Sequence, residues 1–112
     1  MSRYLSGLAG EEQAAQYLTQ QGFSLLKKRF RSRHGEIDLI AKRGNLLYFI
    51  EVKYRPEGRL GSGMEAITPV KQRRLLDAAH AYLAQHPAPW RLAYLEITRA
   101  GILLREDVLH EQ

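Results

Sequence analysis

The chain has 112 residues, 45% hydrophobic and 26% charged, the make-up of one ordinary globular domain rather than a disordered tail. It has no cysteine, which excludes disulfide scaffolds, zinc ribbons, thiol nucleophiles and iron–sulfur ligation. The net charge of +5 is uneven: residues 27–74 hold 13 basic and 5 acidic side chains, a balance of +8, so a polyanionic partner is expected, nucleic acid before any other.

Residues 6–21 read as a helix with Ala14, Ala15 and Leu18 on its apolar face and Gly22 past its end. Three strands follow, at 23–30, 36–41 and 46–53, the last two joined through Arg43-Gly44-Asn45. Residues 56–68 read as a glycine-bearing loop. Thr68-Pro69 then supplies an N-cap and a first-turn proline for a helix reaching Gln85. Its apolar stripe is Leu75, Leu76, Ala79, Tyr82 and Leu83. His86-Pro87-Ala88-Pro89 stops it, and 90–97 and 101–105 read as two more strands. The strand–helix–strand crossover predicts a parallel pair, so the fold expected is α/β, one domain over 1–112 with a mixed five-stranded sheet and flanking helices. The longest apolar run, Leu46 to Ile50, is far short of a membrane span, and the first ten residues lack a signal-peptide core. By elimination a soluble cytoplasmic protein with no membrane partner is expected.

Strand alternation gathers carboxylates. Glu36, Asp38 and Ile40 share one face of the second strand; Leu47, Phe49, Glu51 and Lys53 share one face of the third. A hairpin closing over residues 42–45 sets Glu36 opposite Glu51 and Asp38 diagonal to it. Like charges facing across a sheet are destabilising, and a divalent cation, Mg²⁺ or Mn²⁺, is the natural compensator. Lys53 beside them would orient or deprotonate a water, or stabilise charge on a phosphate. A purely solvated face would not also carry Ile40, Leu47 and Phe49. Glu11 falls on the apolar side of the first helix, where it either reaches the cluster or turns to water at the stripe's edge.

Cations surround this set. Lys27, Lys28, Arg29, Arg31 and Arg33 crowd seven residues next to Glu36. Lys71, Gln72, Arg73 and Arg74 open the second helix, whose amides favour anions. Lys27, Lys28, Arg31, Arg33, Arg55, Lys71, Gln72 and Arg74 are the expected nucleic-acid contacts. The four histidines show no metal-ligand spacing.

Gly10-Glu11 with Ala14, the run Gly35-Glu36-Ile37-Asp38-Leu39-Ile40-Ala41, the run Phe49-Ile50-Glu51-Val52-Lys53-Tyr54-Arg55 and Thr68-Pro69-Val70-Lys71-Gln72-Arg73-Arg74 resemble the YraN-like bacterial proteins. That uncharacterised family is similar in pattern to restriction-endonuclease-like (PD-(D/E)XK) nucleases and archaeal Holliday-junction resolvases. The resemblance implies a restriction-endonuclease-like αβββαβ core, metal ligands at Asp38 and Glu51, a catalytic lysine at Lys53, and assistance from Glu11 and Glu36. Two positions depart from the family: Arg29 replaces its usual asparagine, and Arg91-Leu92-Ala93 lacks the acidic residue usual in the strand after the second helix. The function expected is Mg²⁺- or Mn²⁺-dependent hydrolysis of phosphodiesters in DNA, in branched or damaged structures. The alternative is a nucleic-acid-binding module on the same fold without catalysis. A homodimer would suit a two-stranded substrate.

Overall fold

The computed structural model describes residues 3–59 and 68–106, with side chains from Gly10 onward. In chain order the elements are α1 (Arg3–Gln20), β1 (Ser24–Arg31), β2 (Glu36–Arg43), β3 (Leu46–Tyr54), α2 (Pro69–Gln85), β4 (Trp90–Thr98) and β5 (Gly101–Glu106). The strands form one five-stranded sheet in sequence order. β1, β2 and β3 pair antiparallel, β3 and β4 pair parallel across α2, and β5 returns antiparallel along β4. Part of the loop expected at 56–68 and His110 lie outside the described residues. No helix among those described is long and apolar enough to cross a membrane.

The two helices take opposite faces of the sheet. Ala14 and Leu18 of α1 bury against Leu39, Ala41, Tyr48, Ile50, Ala93 and Leu95. Leu75, Ala78 and Ala79 of α2 bury against Ile37, Ile40, Leu47, Phe49 and Leu92. The period-2 pattern explains why β3 serves both layers: its odd residues face α2, and its even residues face α1. Thr68 caps α2, its Oγ1 accepting from the Lys71 amide at 3.1 Å, with Pro69 at the first helical position.

The β2–β3 hairpin is tighter than the sequence implied. Arg43 pairs with Leu46, so Gly44-Asn45 alone form the turn, with Gly44 at φ 65. A two-residue loop with a positive φ at its first position matches the right-handed twist of the flanking strands. Ile40 therefore faces Phe49, and the register continued two steps sets Asp38, not Glu36, opposite Glu51. This corrects the expected pairing by two residues. Because the slip is even, Asp38 and Ile40 keep the α2 face; Ile37 also packs into the α2 layer, so strict alternation fails between Ile37 and Leu39.

Two glycines hold the helices close. A Cβ on Gly10 would stand 2.6 Å from that of Tyr54, which fixes α1 on β3. A Cβ on Gly35 would collide with the backbone carbonyl of Arg74. The main chain entering β2 thus lies directly against α2, and this contact sets how near the start of α2 sits to the carboxylates.

Candidate functional site

The site lies at the carboxyl end of the parallel β3–β4 pair, where α2 begins. On an α/β sheet this is where side chains and helix amides converge on open space. β3 delivers Leu47 and Phe49 into the core beneath α2, and the next residue on that face is Glu51, 7% exposed. A depression of about 350 Å³ opens above it, lined by Glu36, Asp38, Glu51, Thr68, Lys71 and Arg74, with Val70 and Leu75 as its apolar wall.

Asp38 enters from β2 at a point where backbone pairing with β3 gives way to a side chain. The described β2–β3 pairs end at Leu39–Ile50, and the Val52 amide donates to Asp38 Oδ2 at 2.8 Å. This bond anchors the carboxylate beside Glu51. Burial pushes the Asp38 carboxyl up to about 7, and the neighbouring charge of Glu51 adds to the rise; the Val52 amide opposes it, while hydrogen bonding with Glu51 and the charge of Glu11 raise it further. Two carboxyls within hydrogen-bonding reach, one poised near neutrality, make a site that a cation would relieve.

Lysines answer the acids from two elements. Lys71 Nζ, from the first turn of α2, stands 2.7 Å from Glu51 Oε2. Burial pulls the Lys71 ammonium down, but the bond to Glu51 outweighs it and the net direction is upward. Lys53 lies within hydrogen-bonding reach of Lys71. Burial and the Lys71 charge lower its pKa, against the pull of Glu51 and Asp38. The site therefore holds two acids and two lysines, and the sequence had placed only Lys53 at its chemistry.

The other expected members are held differently. Glu36 lines the depression, but it is 42% exposed and accepts from Arg31 Nε at 3.0 Å. Glu11 accepts from Arg29 Nε at 2.9 Å and is 17% exposed, so it reaches Asp38 through its field rather than by contact. Among the described residues no group of three Asp, Glu or His converges as a metal-holding set. The expected three-carboxylate cluster is thus corrected to the pair Asp38 and Glu51. Arginines at 29 and 31 pair with the other two acids, so the repulsion that remains at Asp38 comes chiefly from Glu51. Arg29 adopts φ 55, left-handed for a non-glycine residue, and lies opposite Asp38 in the β1–β2 register. Such a conformation costs about 1–3 kcal/mol and persists where surrounding contacts impose it.

Of the expected nucleic-acid contacts, Lys27, Arg33 and Arg74 are exposed. Lys28 pairs with Glu12 at 3.1 Å, and Arg31 pairs with Glu36. Gln72 is half-buried, its backbone amide donating to the Thr68 carbonyl. Arg55 turns toward β4, where its charge is felt at the buried Tyr94.

β4 supplies an acid that the sequence reading missed. Glu96 is fully buried and lies beside Lys53 in the β3–β4 register; Tyr94, also fully buried, lies beside Glu51. Burial and the Glu96 charge push the Tyr94 hydroxyl up to about 12, with Arg55 opposing. The family's usual acid is absent at Ala93, but the late strand still brings a carboxylate to this face. Its signal was available: Leu92, Tyr94 and Glu96 alternate on the face that Glu51 shares.

The residues present fit a divalent cation. Mg²⁺ is commonly bound by one or two carboxylates, with water and phosphate oxygens completing its shell, and Asp38 with Glu51 supplies that pair beside open space.

The model of "Uncharacterised protein family UPF0102", the YraN-like family, matches residues 10–109. A UPF0102 protein of Symbiobacterium thermophilum is 46% identical over 100 residues, covering 87% of this chain and 84% of its own. One from Janthinobacterium sp. (strain Marseille) is 44% identical over 88 residues, covering 79% and 72%. One from Bradyrhizobium diazoefficiens is 44% identical over 87 residues, 78% of this chain but 64% of its own length. The chain thus spans just under two thirds of that longer relative.

Proposed function

The chain belongs to the uncharacterised protein family UPF0102, and from that premise we propose that it is a Mg²⁺- or Mn²⁺-dependent endonuclease hydrolysing phosphodiester bonds in branched or damaged DNA. The observation that carries this reading is the juxtaposition of Asp38 and Glu51 with Lys53 and Lys71 in one open depression. Asp38 and Glu51 would hold the cation. When bound, it supplies a water of lowered pKa and neutralises charge on the phosphate. Lys53, with its proton held less tightly than an ordinary lysine's, would position the attacking water and take or share its proton. Lys71 would give up Glu51 to the cation and turn its ammonium to the phosphate oxygens, where charge builds in the transition state. Glu36 and Glu11 would assist by holding Arg31 and Arg29 at the rim. Lys27, Arg33 and Arg74 would bind flanking phosphates, and a homodimer would present two sites to two strands.

One observation favours the non-catalytic alternative: the Lys71–Glu51 ion pair already satisfies one of the two ligands. A panel of single-stranded, duplex, flap and four-way-junction DNAs, each with Mg²⁺ and Mn²⁺, separates the readings. Divalent-dependent cleavage abolished by Asp38→Asn and Lys53→Ala supports the nuclease. Binding without cleavage of any substrate, unaffected by Glu51→Gln and Lys53→Ala, supports the binding module.

A further inference from the structure

Beside the carboxylate depression, the first turn of α2 carries Val70, 62% exposed. It stands on a ridge. On one side lies the depression holding Asp38 and Glu51; on the other lies a second, of about 450 Å³, lined by His34, Pro69, Val70, Arg73, Arg74 and Asp77. Arg74 lines both, and also a third hollow under the β1–β2 loop that contains Arg31 and Arg33. A continuous surface thus leads from the carboxylates over Val70 and past Arg74 toward Arg33.

The second depression is chemically mixed. Arg73 and Arg74 suit phosphate, but Asp77 repels it and accepts hydrogen bonds from amino groups. Arg73 and Asp77 are four residues apart on α2, a spacing at which ion pairs form, yet among the described residues neither is ion-paired. Pro69 and Val70 add an apolar ledge. Cations, one acceptor and an apolar ledge together match a nucleotide, with its phosphate, its base edge and its base face. A bare anion would use only the first of these.

We infer that this depression is a second nucleotide subsite, which takes an unpaired base adjoining the phosphate that Lys71 and a cation at Asp38 and Glu51 would hold. The inference rests on the nuclease reading and narrows its substrate. A base inside a duplex hides its face in the stack and its pairing edge in the partner strand. The subsite therefore selects DNA in which the strand leaves the stack at the reacting phosphate, as at a flap, a fork or a single-stranded end, over continuous duplex. Asp77 accepts from the exocyclic amino group of cytosine, adenine or guanine and finds no such group on thymine, which offers only its ring N3–H.

Binding in chelator tests this without cleavage. The probes are a flap duplex with 2-aminopurine at its first unpaired position and a continuous duplex of the same sequence. The wild type should bind the flap about fivefold or more tighter than the duplex and change the 2-aminopurine fluorescence. Val70→Ala should lose about three- to tenfold on the flap and clearly less on the duplex, and Val70→Phe should regain or exceed the wild-type preference. Asp77→Ala should remove a preference for cytosine or adenine over thymine at the unpaired position. Val70 is exposed, so its variants should keep the wild-type melting temperature. A wild type that binds both DNAs equally overturns the subsite and leaves the nuclease reading standing. So does a preference that survives both Val70→Ala and Asp77→Ala. A change of oligomeric state in Val70→Ala, with DNA preference intact, overturns it in favour of a second copy on the ledge. A wild type that binds no DNA sinks the nuclease reading itself, and the subsite with it.

Discussion

Replacing Asp38 by asparagine should stabilise the metal-free protein at pH 8 and leave it unchanged near pH 4. In the folded chain the Asp38 carboxyl is pushed up to about 7 by burial and by Glu51. In the unfolded chain it titrates near its ordinary value of about 3.9. Between those two values the folded state holds a proton that the unfolded state has lost. Stability therefore falls as pH rises from about 4 to about 7 and levels off above that. A difference of about three pKa units corresponds to roughly 4 kcal/mol, at about 1.4 kcal/mol per unit. That is a ceiling, because part of the rise comes from the nearby charge of Glu51 and a buried amide also pays some desolvation. Asparagine keeps an oxygen for the Val52 amide and carries no charge. The expected gain at pH 8 is thus about 1–3 kcal/mol, or several degrees in Tm for a chain of this size. Thermal or urea melts in chelator at pH 8, 6 and 4.5 measure it. Saturating Mn²⁺ should narrow or reverse the gap, since a ligand at a hundred times the wild-type Kd adds about 2.7 kcal/mol to the wild type and only about 1.4 kcal/mol to a variant that binds it tenfold more weakly. If Asp38→Asn melts below wild type in chelator at pH 8, the carboxylate has a stabilising partner that outweighs its burial and its repulsion by Glu51. The argument for a cation between them then loses its physical basis.

Calorimetry should detect Mn²⁺ binding that Asp38→Asn and Glu51→Gln each weaken by about tenfold or more. Lys71→Ala should tighten it, because the ammonium bonded to Glu51 competes with the metal; weaker binding in that variant would make Lys71 a support of the site rather than a rival to the ion. The affinity for duplex DNA should fall with salt at a log–log slope of about −3 to −6. Removing Lys27, Arg33 and Arg74 together should flatten that slope more than removing Lys28 and Arg31, which are already paired with Glu12 and Glu36; equal slopes would refute this ranking of the cations. Gly35→Ala should cost about 1–3 kcal/mol by driving a methyl into the Arg74 carbonyl, and it should weaken Mn²⁺ binding as α2 shifts; an unfolding midpoint within error of wild type would show that α2 is free to retreat.

What the sequence determined by itself was the set of elements and the face most strand residues take, Ile37 being an exception. Thr68-Pro69 announces the start of α2 because capping is local, and alternation puts Ile40, Leu47, Phe49 and Glu51 on the α2 side whatever the register. The two-residue slip of the hairpin left that assignment intact for this reason, and Asp38, Glu51 and Lys53 were legible before any coordinates. Tertiary structure decided the partners. Glu11 meets Arg29, eighteen positions away, which decides between the two positions its spacing left open, and Glu36 meets Arg31 across a turn at the rim of the depression it lines. Lys71 reaches Glu51 from another element, over a separation that no periodicity spans. The burial of Glu96 beside Lys53 depends on β4 lying parallel to β3 in one register among several that satisfy the same pattern. Local periodicity fixes where a side chain points, because it is a property of a few consecutive dihedral angles. Which charge it finds there depends on how distant segments pack, and that is settled only when the approach of Gly35 to α2 and the ladder from β1 to β5 are formed together.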